Sequence, residues 1–440
     1  MGEEVGVQTF SRQDRARYRD KVRRCLDVFA EMLRESRFEI ERPMTGLEIE
    51  LNLVDENSMP AMRNADVLQA IADPSFQTEL GQFNIEINVT PRRLNGTGTV
   101  EFEEHLRATL NAADQRARTV GAHLVMIGIL PTVLPEHLTA AALSANPRYA
   151  LLNEQIFAAR GEDLRIAING VERLAVTADT ITPEAACTST QFHVQVGPNQ
   201  FADYWNAAQA IAGVQVALGA NSPLFFGREL WRETRIPLFQ QATDTRAEEI
   251  KTQGVRPRVW FGERWITSVF DLFEENVRYF PALLPVCDAE DPSETLASGG
   301  VPTLAELRLH NGTVYRWNRP VYDVFRGRPH LRVENRCCLP GRPCWTRSPT
   351  GRSTSDWSGH WPRPTGHCGR RCRSAPPRRT STPAPDTAST RTSSGRAWAT
   401  CPSPSWCCGG CCRWRSTAWT GGVWIRTSGT ACWASSSNGA

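Results

Sequence analysis

The sequence predicts an α+β fold, with an antiparallel sheet whose open face carries charge and whose other face is covered. Three observations predict it. Four segments alternate apolar and polar residues with the period of a strand. In each, the polar set is acidic, imidazole or guanidinium rather than merely hydrophilic. Between them run longer stretches with helical spacing and helix-start residues.

In chain order, Ser11 caps a helix through about residue 36, with Val22, Leu26, Phe29 and Leu33 on one stripe. In TGLEIELNLVD, Leu47, Ile49, Leu51 and Leu53 alternate with Glu48, Glu50 and Asn52, the pattern of a half-buried strand. Glu48 and Glu50 then leave one face about 6.6 Å apart along the strand. Two carboxylates that close repel unless cations lie between them; the plainer reading of a lone E-x-E is a solvated face. In ELGQFNIEINVTP, Ile85, Ile87 and Val89 alternate with Asn84, Glu86 and Asn88, Glu79 precedes Glu86 by seven residues, and Pro91 ends the strand.

A helix is expected over residues 99–118, then a buried strand in AHLVMIGILPT, a helical stretch around residues 136–158, and a hairpin in LRIAINGVERLAV with Asn-Gly as its turn. CTSTQFHVQVG puts Gln191, His193 and Gln195 on one strand face. A further helix covers residues 201–218. An arginine-dense loop follows, in which Arg235 reads either as surface charge or as an anion clamp. AELRLHNGTVYRWNRP reads as a hairpin, and PHLRVENR sets Leu331 and Val333 against Arg332, Glu334 and Arg336. A concave face with carboxylates and arginines suits a nucleoside triphosphate with Mg²⁺.

Composition divides the chain. Of the 440 residues 40% are apolar, enough for a core, and the net charge is +3. Residues 1–336 hold 36 Lys+Arg against 45 Asp+Glu; residues 337–440 hold 14 Arg, no Lys, no Glu and two Asp. Eleven of the 14 cysteines fall in the second part. Cys25, Cys187 and Cys287 read as free cytosolic thiols without zinc spacing. No apolar run reaches the ~18 residues of a membrane span, and the charged N-terminus lacks a signal-peptide core. The expectation is a cytoplasmic protein with no membrane partner.

These segments resemble the glutamate–cysteine ligase family, in its bacterial carboxylate–amine ligase branch. GLEIELNLVD resembles that family's E-x-E metal strand, ELGQFNIEINVTP its second acidic strand, TQFHVQV its histidine strand and LRVENR its late E-x-R strand. The resemblance covers nearly all of residues 40–336. It implies a glutamine-synthetase-like catalytic sheet, curved around the site and backed by helices. It implies an ATP- and Mg²⁺-dependent ligase that takes glutamate and cysteine, or another amine, through an acyl phosphate. By the same resemblance Glu48, Glu50, Glu79, Glu86, His193 and Glu334 would hold Mg²⁺, and Arg336 would stabilise the transferring phosphoryl group. Arg235, by its charge, is a second catalytic candidate; Arg332, Gln191 and Asn88 are expected to contact the nucleotide or its metal. No Walker loop is expected and none is present.

The segment SWCCGGCCRW, residues 405–414, fits no such scheme. Cysteine pairs suggest a metal knuckle, but no C-x₂-C recurs in frame. Fourteen arginines among aromatic residues suggest a basic-tailed nucleic-acid-binding protein. Its binding would weaken steeply with salt and vanish on deleting residues 337–440. Disorder is opposed by nine tryptophans. Out-of-frame translation accounts for more. A Cys codon followed by one for Cys or Trp, read one nucleotide earlier, always gives Leu. With GC-rich codons the ten residues and the codon edges that flank them then decode as an amphipathic ELVLRRLLPLA. A one-nucleotide loss just after the Arg336 codon is the expectation, so residues 337–440 are not expected to fold and no nucleic-acid partner is expected. The chain would then be a ligase without its terminal helices, and an inactive remnant is the alternative.

Overall fold

The computed structural model describes residues 9–40, 44–93, 98–338, 411–420 and 423–432. Seven strands make the sheet: β1 (Thr45–Val54), β2 (Phe76–Thr78), β3 (Asn84–Arg92), β4 (His123–Val125), β5 (Thr190–Gln195), β6 (Asn318–Phe325) and β7 (Arg328–Cys338). Their order is β6-β7-β5-β1-β3-β2, and β4 continues along the β5 edge of β1. Every pairing is antiparallel, and the sheet curls as a half-barrel.

The helices used below are α1 (Arg12–Arg34), α2 (Asn64–Ile71), α3 (Gly98–Arg118), α4 (Pro147–Arg160), α5 (Thr182–Ala185), α6 (Pro198–Gly219), α7 (Arg235–Ala242), α8 (Val269–Tyr279) and α9 (Ala305–Gly312). Ser11 caps α1 as its sequence suggests, in a reciprocal capping box with Asp14. Two apolar layers hold the sheet. Ile49, Leu51 and Leu53 of β1 and Ile85, Ile87 and Val89 of β3 pack with Val67 of α2 and Phe102, Ala113 and Ala117 of α3. Leu331 and Val333 of β7 pack with Phe201 and Trp205 of α6, in one core with Phe29 of α1 and Phe273 of α8. Each of the Val, Leu, Ile and Phe side chains is worth roughly 1.5–3 kcal/mol when fully buried.

Several expectations are corrected. AELRLHNG forms α9, which buries Glu306, Leu307, Leu309, His310 and Asn311, and Asn311–Gly312 ends that helix instead of turning a hairpin. The hairpin lies later, between β6 and β7. Its two-residue turn sets Arg326 at φ 51° and Gly327 at φ 72°, the twist that strand pairs favour. AHLVMIGILPT contributes three strand residues, His123–Val125, because β4 meets no more than the Asn52–Val54 end of β1. Pro91 does not end β3. The strand runs to Arg92 past a register shift opposite Thr45–Leu47, where no ladder N–H is demanded of it. The stretch at 136–158 is two short 3₁₀ turns followed by α4. The LRIAIN/RLAVTA hairpin is present, but Asn169 pairs with Arg173, leaving a three-residue loop.

The chain divides into two units, residues 1–352 and 353–440. In the second, Cys411–Thr420 and Val423–Cys432 form an antiparallel ladder. Cys337 and Cys338 complete β7. The rest of residues 337–440, with the first six of SWCCGGCCRW, lies outside the described residues.

Candidate active site

The strand register sets the site out in rungs on one face. Glu50 of β1 stands opposite Glu86 of β3. Glu48 stands between Asn88 of β3 and Gln191 of β5. His193 of β5 pairs with Glu334 of β7, which pairs with Arg319 of β6. Like charges directly opposite cost stability, so the Glu50–Glu86 rung needs another reason to exist.

Hydrogen bonds fix most of these groups. Glu50 accepts from Ser189 N at 2.7 Å, Ser189 Oγ at 3.0 Å and Gln191 Nε2 at 2.8 Å. Gln191 turns its oxygen to Arg336 Nη1 at 2.8 Å. The same Nη1 donates to Glu334 Oε1 at 2.7 Å, while Arg319 holds Glu334 Oε2 with two bonds of 2.9 and 2.8 Å. Both oxygens of Glu334 are thus taken by guanidinium groups. His193 Nδ1 accepts from Arg332 Nε at 3.0 Å, and its Nε2 lies 3.1 Å from Glu48 Oε1. With Nδ1 accepting, the ring proton sits on Nε2; metal ligation there would require Arg332 to release Nδ1. Asn88 donates to Glu86 Oε1 at 2.8 Å, and Glu79 accepts from the N–H of Leu80 at 2.8 Å. Between them Gly81 is required. A Cβ there would stand 2.6 Å from Asn84 Oδ1 and 3.0 Å from Ala185 Cβ, so the Glu79 loop reaches α5 because no side chain intervenes.

Proton affinity divides the carboxylates. Burial pushes Glu50 up, against the opposing pull of Arg336 and its own hydrogen bonds. Burial, then Glu50 and Glu86, push Glu79 well above the usual carboxylate range. Burial, then Glu48, raise Glu86 to about 8. Glu334 and Glu48 go the other way. Burial raises each, but Arg319 and Arg336 more than offset it for Glu334, and His193 does so for Glu48.

Glu48, Glu50, Glu79, Glu86, Gln191, Arg332, Glu334 and Arg336 line one cavity of about 250 Å³. His193 and Asn88 do not line it; Asn88 holds Glu86 from behind, and His193 Nε2 approaches Glu48 without hydrogen-bond geometry. Arg235 is not at the surface and not in the cavity: it is buried on α7, paired with Glu233 and donating to Thr188 O at 3.1 Å. Its assignment as a catalytic group is corrected to support of the Thr188 segment. The cavity adds residues that sequence reasoning missed: Glu184 of α5, Arg148 and Tyr149 of α4, Arg308 of α9, Tyr315 and Arg319. Glu50, Glu79 and Glu86 each offer a carboxylate oxygen, all within 4.8 Å of one another. Such an all-oxygen set, raised in proton affinity by burial and, for Glu79 and Glu86, by neighbouring carboxylates, fits a divalent cation such as Mg²⁺.

Comparison with known proteins bears on this cavity. Residues 44–255 match the model of glutamate-cysteine ligase family 2 (GCS2). The resemblance read from the sequence is shown over that span, which holds Glu48, Glu50, Glu79, Glu86, Gln191 and His193. The GCS2 match ends before β6 and β7, which supply Arg319, Glu334 and Arg336. No curated relative matches the chain. Two solved structures align loosely. One is a glutamate–cysteine ligase from Francisella tularensis in complex with AMP, at 10% identity and TM-score 0.39, over 68% of this chain and 61% of that one. The other is a bifunctional glutathione synthetase from Pasteurella multocida, at 10% identity and TM-score 0.34, over 72% and 37%. This chain therefore spans less than two thirds of either protein. Among the described residues no helix is long and apolar enough to cross a membrane.

Proposed function

We propose that the chain is an ATP-dependent carboxylate–amine ligase of the GCS2 type. It joins the γ-carboxylate of L-glutamate to an amine, with L-cysteine the amine that the resemblance implies. The products are then γ-glutamylcysteine, ADP and phosphate. The observation that carries this reading is the adjacency, in one cavity, of the Glu50–Glu79–Glu86 cluster and the Arg319–Glu334–Arg336 lattice.

The chemistry has two steps. A carboxylate oxygen of glutamate attacks the γ-phosphorus of ATP, giving an acyl phosphate and ADP. The amine then attacks the acyl carbon and phosphate leaves. Glu50, Glu79 and Glu86, with Glu48 beside them, would hold Mg²⁺, which supplies charge neutralisation at the phosphate oxygens. Arg336 faces the charge that spreads over the transferring phosphoryl group, and Gln191 and Glu334 fix its orientation. Burial in the cavity strengthens each of these contacts relative to water.

The test is ADP release by the full-length chain with its frame restored after Arg336. Release is expected to require both glutamate and an amine and to be lost in Glu50→Gln. Release that ignores either substrate would reject the ligase reading.

The same reading makes residues 337–440 an out-of-frame segment. Its support is local. Cys337 is buried at the end of β7, a position where the shifted frame supplies Val followed by Leu. Sequencing the coding DNA across residues 330–345 is expected to find one more nucleotide after the Arg336 codon. In its present frame the chain is expected to aggregate, because its terminal segment lacks a helical apolar stripe to cover the catalytic unit. A soluble, monodisperse, ADP-releasing protein of the present sequence would overturn this.

A further inference from the structure

Among the described residues that line the cavity, Glu184 is the carboxylate whose inner oxygen has nothing to bind. Glu50, Glu79, Glu86 and Glu334 each accept a hydrogen bond, Glu48 meets His193, and Asp323 pairs with Arg308 and Arg332. Glu184 projects from α5 into the same cavity, yet its Oε2 is out of solvent and without a hydrogen-bond partner. Native folds rarely leave such an atom unpaired unless something arrives to pair it.

What arrives must donate to that oxygen, and a cation does so most strongly once the carboxyl is ionised. Glu184 lies outside the Glu50–Glu79–Glu86 cluster, so the shared-oxygen geometry that suits a metal is not built around it. Its surroundings are partly aromatic: Tyr149, Phe239 and Tyr315 line the same cavity, and both phenols feel its charge. A carboxylate among aromatic rings is the environment of an organic ammonium rather than of a hard divalent ion. Resting on the ligase reading above, we propose that Glu184 seats the ammonium group of the amine substrate, takes the proton that group gives up before the freed amine attacks, and so selects amines that arrive charged.

Its electrostatics agree. Burial, with Glu50 adding and Arg336 opposing, raises the Glu184 carboxyl to about 8. An uncompensated carboxylate there is costly, and an arriving ammonium removes that cost. A neutral amine would offer no such compensation and no such dependence.

The experiment uses the full 440-residue chain and, in parallel, the full-length chain with its frame restored after Arg336. Each is assayed with glutamate and ATP against two nucleophiles: cysteine, which arrives as an ammonium, and hydroxylamine, which is uncharged near neutral pH. Glu184→Gln is expected to raise the KM for cysteine roughly 10- to 100-fold, the worth of one buried charge-assisted hydrogen bond. Hydroxamate formation and the KM values for glutamate, ATP and Mg²⁺ are expected to stay within about twofold, since none of them engages Glu184. Glu184→Asp should recover part of the cysteine KM. The Gln variant should melt no lower than the parent, because the carboxyl it replaces has no hydrogen bond on its inner oxygen to lose. Equal loss with both nucleophiles, or a shifted Mg²⁺ requirement, would place Glu184 in the metal cage or the fold and overturn the proposal. So would an unchanged cysteine KM. If neither parent chain turns over either nucleophile, the ligase reading itself fails, and this assignment falls with it.

Discussion

Arg336→Ala is expected to slow ADP formation by roughly 10³-fold or more, the scale of an arginine that stabilises a phosphoryl-transfer transition state. The fold should survive. Arg336 shares Glu334 with Arg319, and Arg319 alone still gives that carboxylate two bonds, at 2.9 and 2.8 Å. The buried Glu334 is therefore not stranded, which separates this change from the usual loss of one partner of a buried pair. Gln191 loses the partner of its oxygen but keeps its bond to Glu50. Arg336→Lys should rescue little. One Nη1 now reaches Gln191 and Glu334 together from a planar head, and an ammonium on a flexible stem cannot hold that orientation. The measurement is single-turnover ADP formation beside a thermal melt. A variant with near-parental turnover would remove Arg336 from the chemistry. A variant that unfolds would show the residue to be structural.

The charged sheet face was legible because strand periodicity is a local property. Once Glu48, Glu50 and Glu86 alternate with Leu and Ile, they must share a face, whatever lies above it. What lies above it was not legible. TGLEIELNLVD reads as half-buried, yet Glu50 and Asn52 are buried, as are Glu86, Gln191, His193 and Glu334 on the neighbouring strands, because elements distant in sequence close over them. Glu184 and Arg148 sit in that cover on α5 and α4 with no periodic signal to mark them. Arg319 was more accessible to reason. The Arg326–Gly327 turn pairs Phe325 with Arg328, and counting outward sets Arg319 opposite Glu334. Reading AELRLHNGTVYRWNRP as a hairpin, when its first eight residues form α9, hid that register. Arg235 misled for the opposite reason. Its charge suggested a clamp, but Glu233, two residues earlier, claims it inside the fold.

Without divalent cation, the protein is expected to lose stability as pH rises, and Mg²⁺ is expected to restore it. The sign follows from Glu79 and Glu86. Both hold protons more tightly folded than unfolded, Glu86 up to about 8, because burial and neighbouring carboxylates penalise their charged forms. The folded state then binds more protons than the unfolded one, whose carboxyls titrate near 4.3. Stability is full below that value and falls as pH rises through about 8, at about 1.4 kcal/mol per pH unit for each proton retained. Glu184 and Glu50 add the same sign. Glu48 and Glu334, held low, lose their contribution in acid and are ionised in both states over this range. His310, which burial pushes down to about 4, acts oppositely, but below its unfolded value of about 6.5. The window between about pH 6.5 and about pH 8 therefore isolates the carboxylates. A cation among Glu50, Glu79 and Glu86 replaces the protons, so its stabilisation should grow with pH across that window. Glu86→Gln should flatten the cation-free slope and shrink the Mg²⁺ shift together, since one group causes both. Melting curves at the two ends of the window, with chelator and with saturating Mg²⁺, decide it. A Mg²⁺ shift that is equal at both ends, or that survives intact in Glu86→Gln, would mean the cation binds elsewhere and the crowded carboxylates serve something other than a metal.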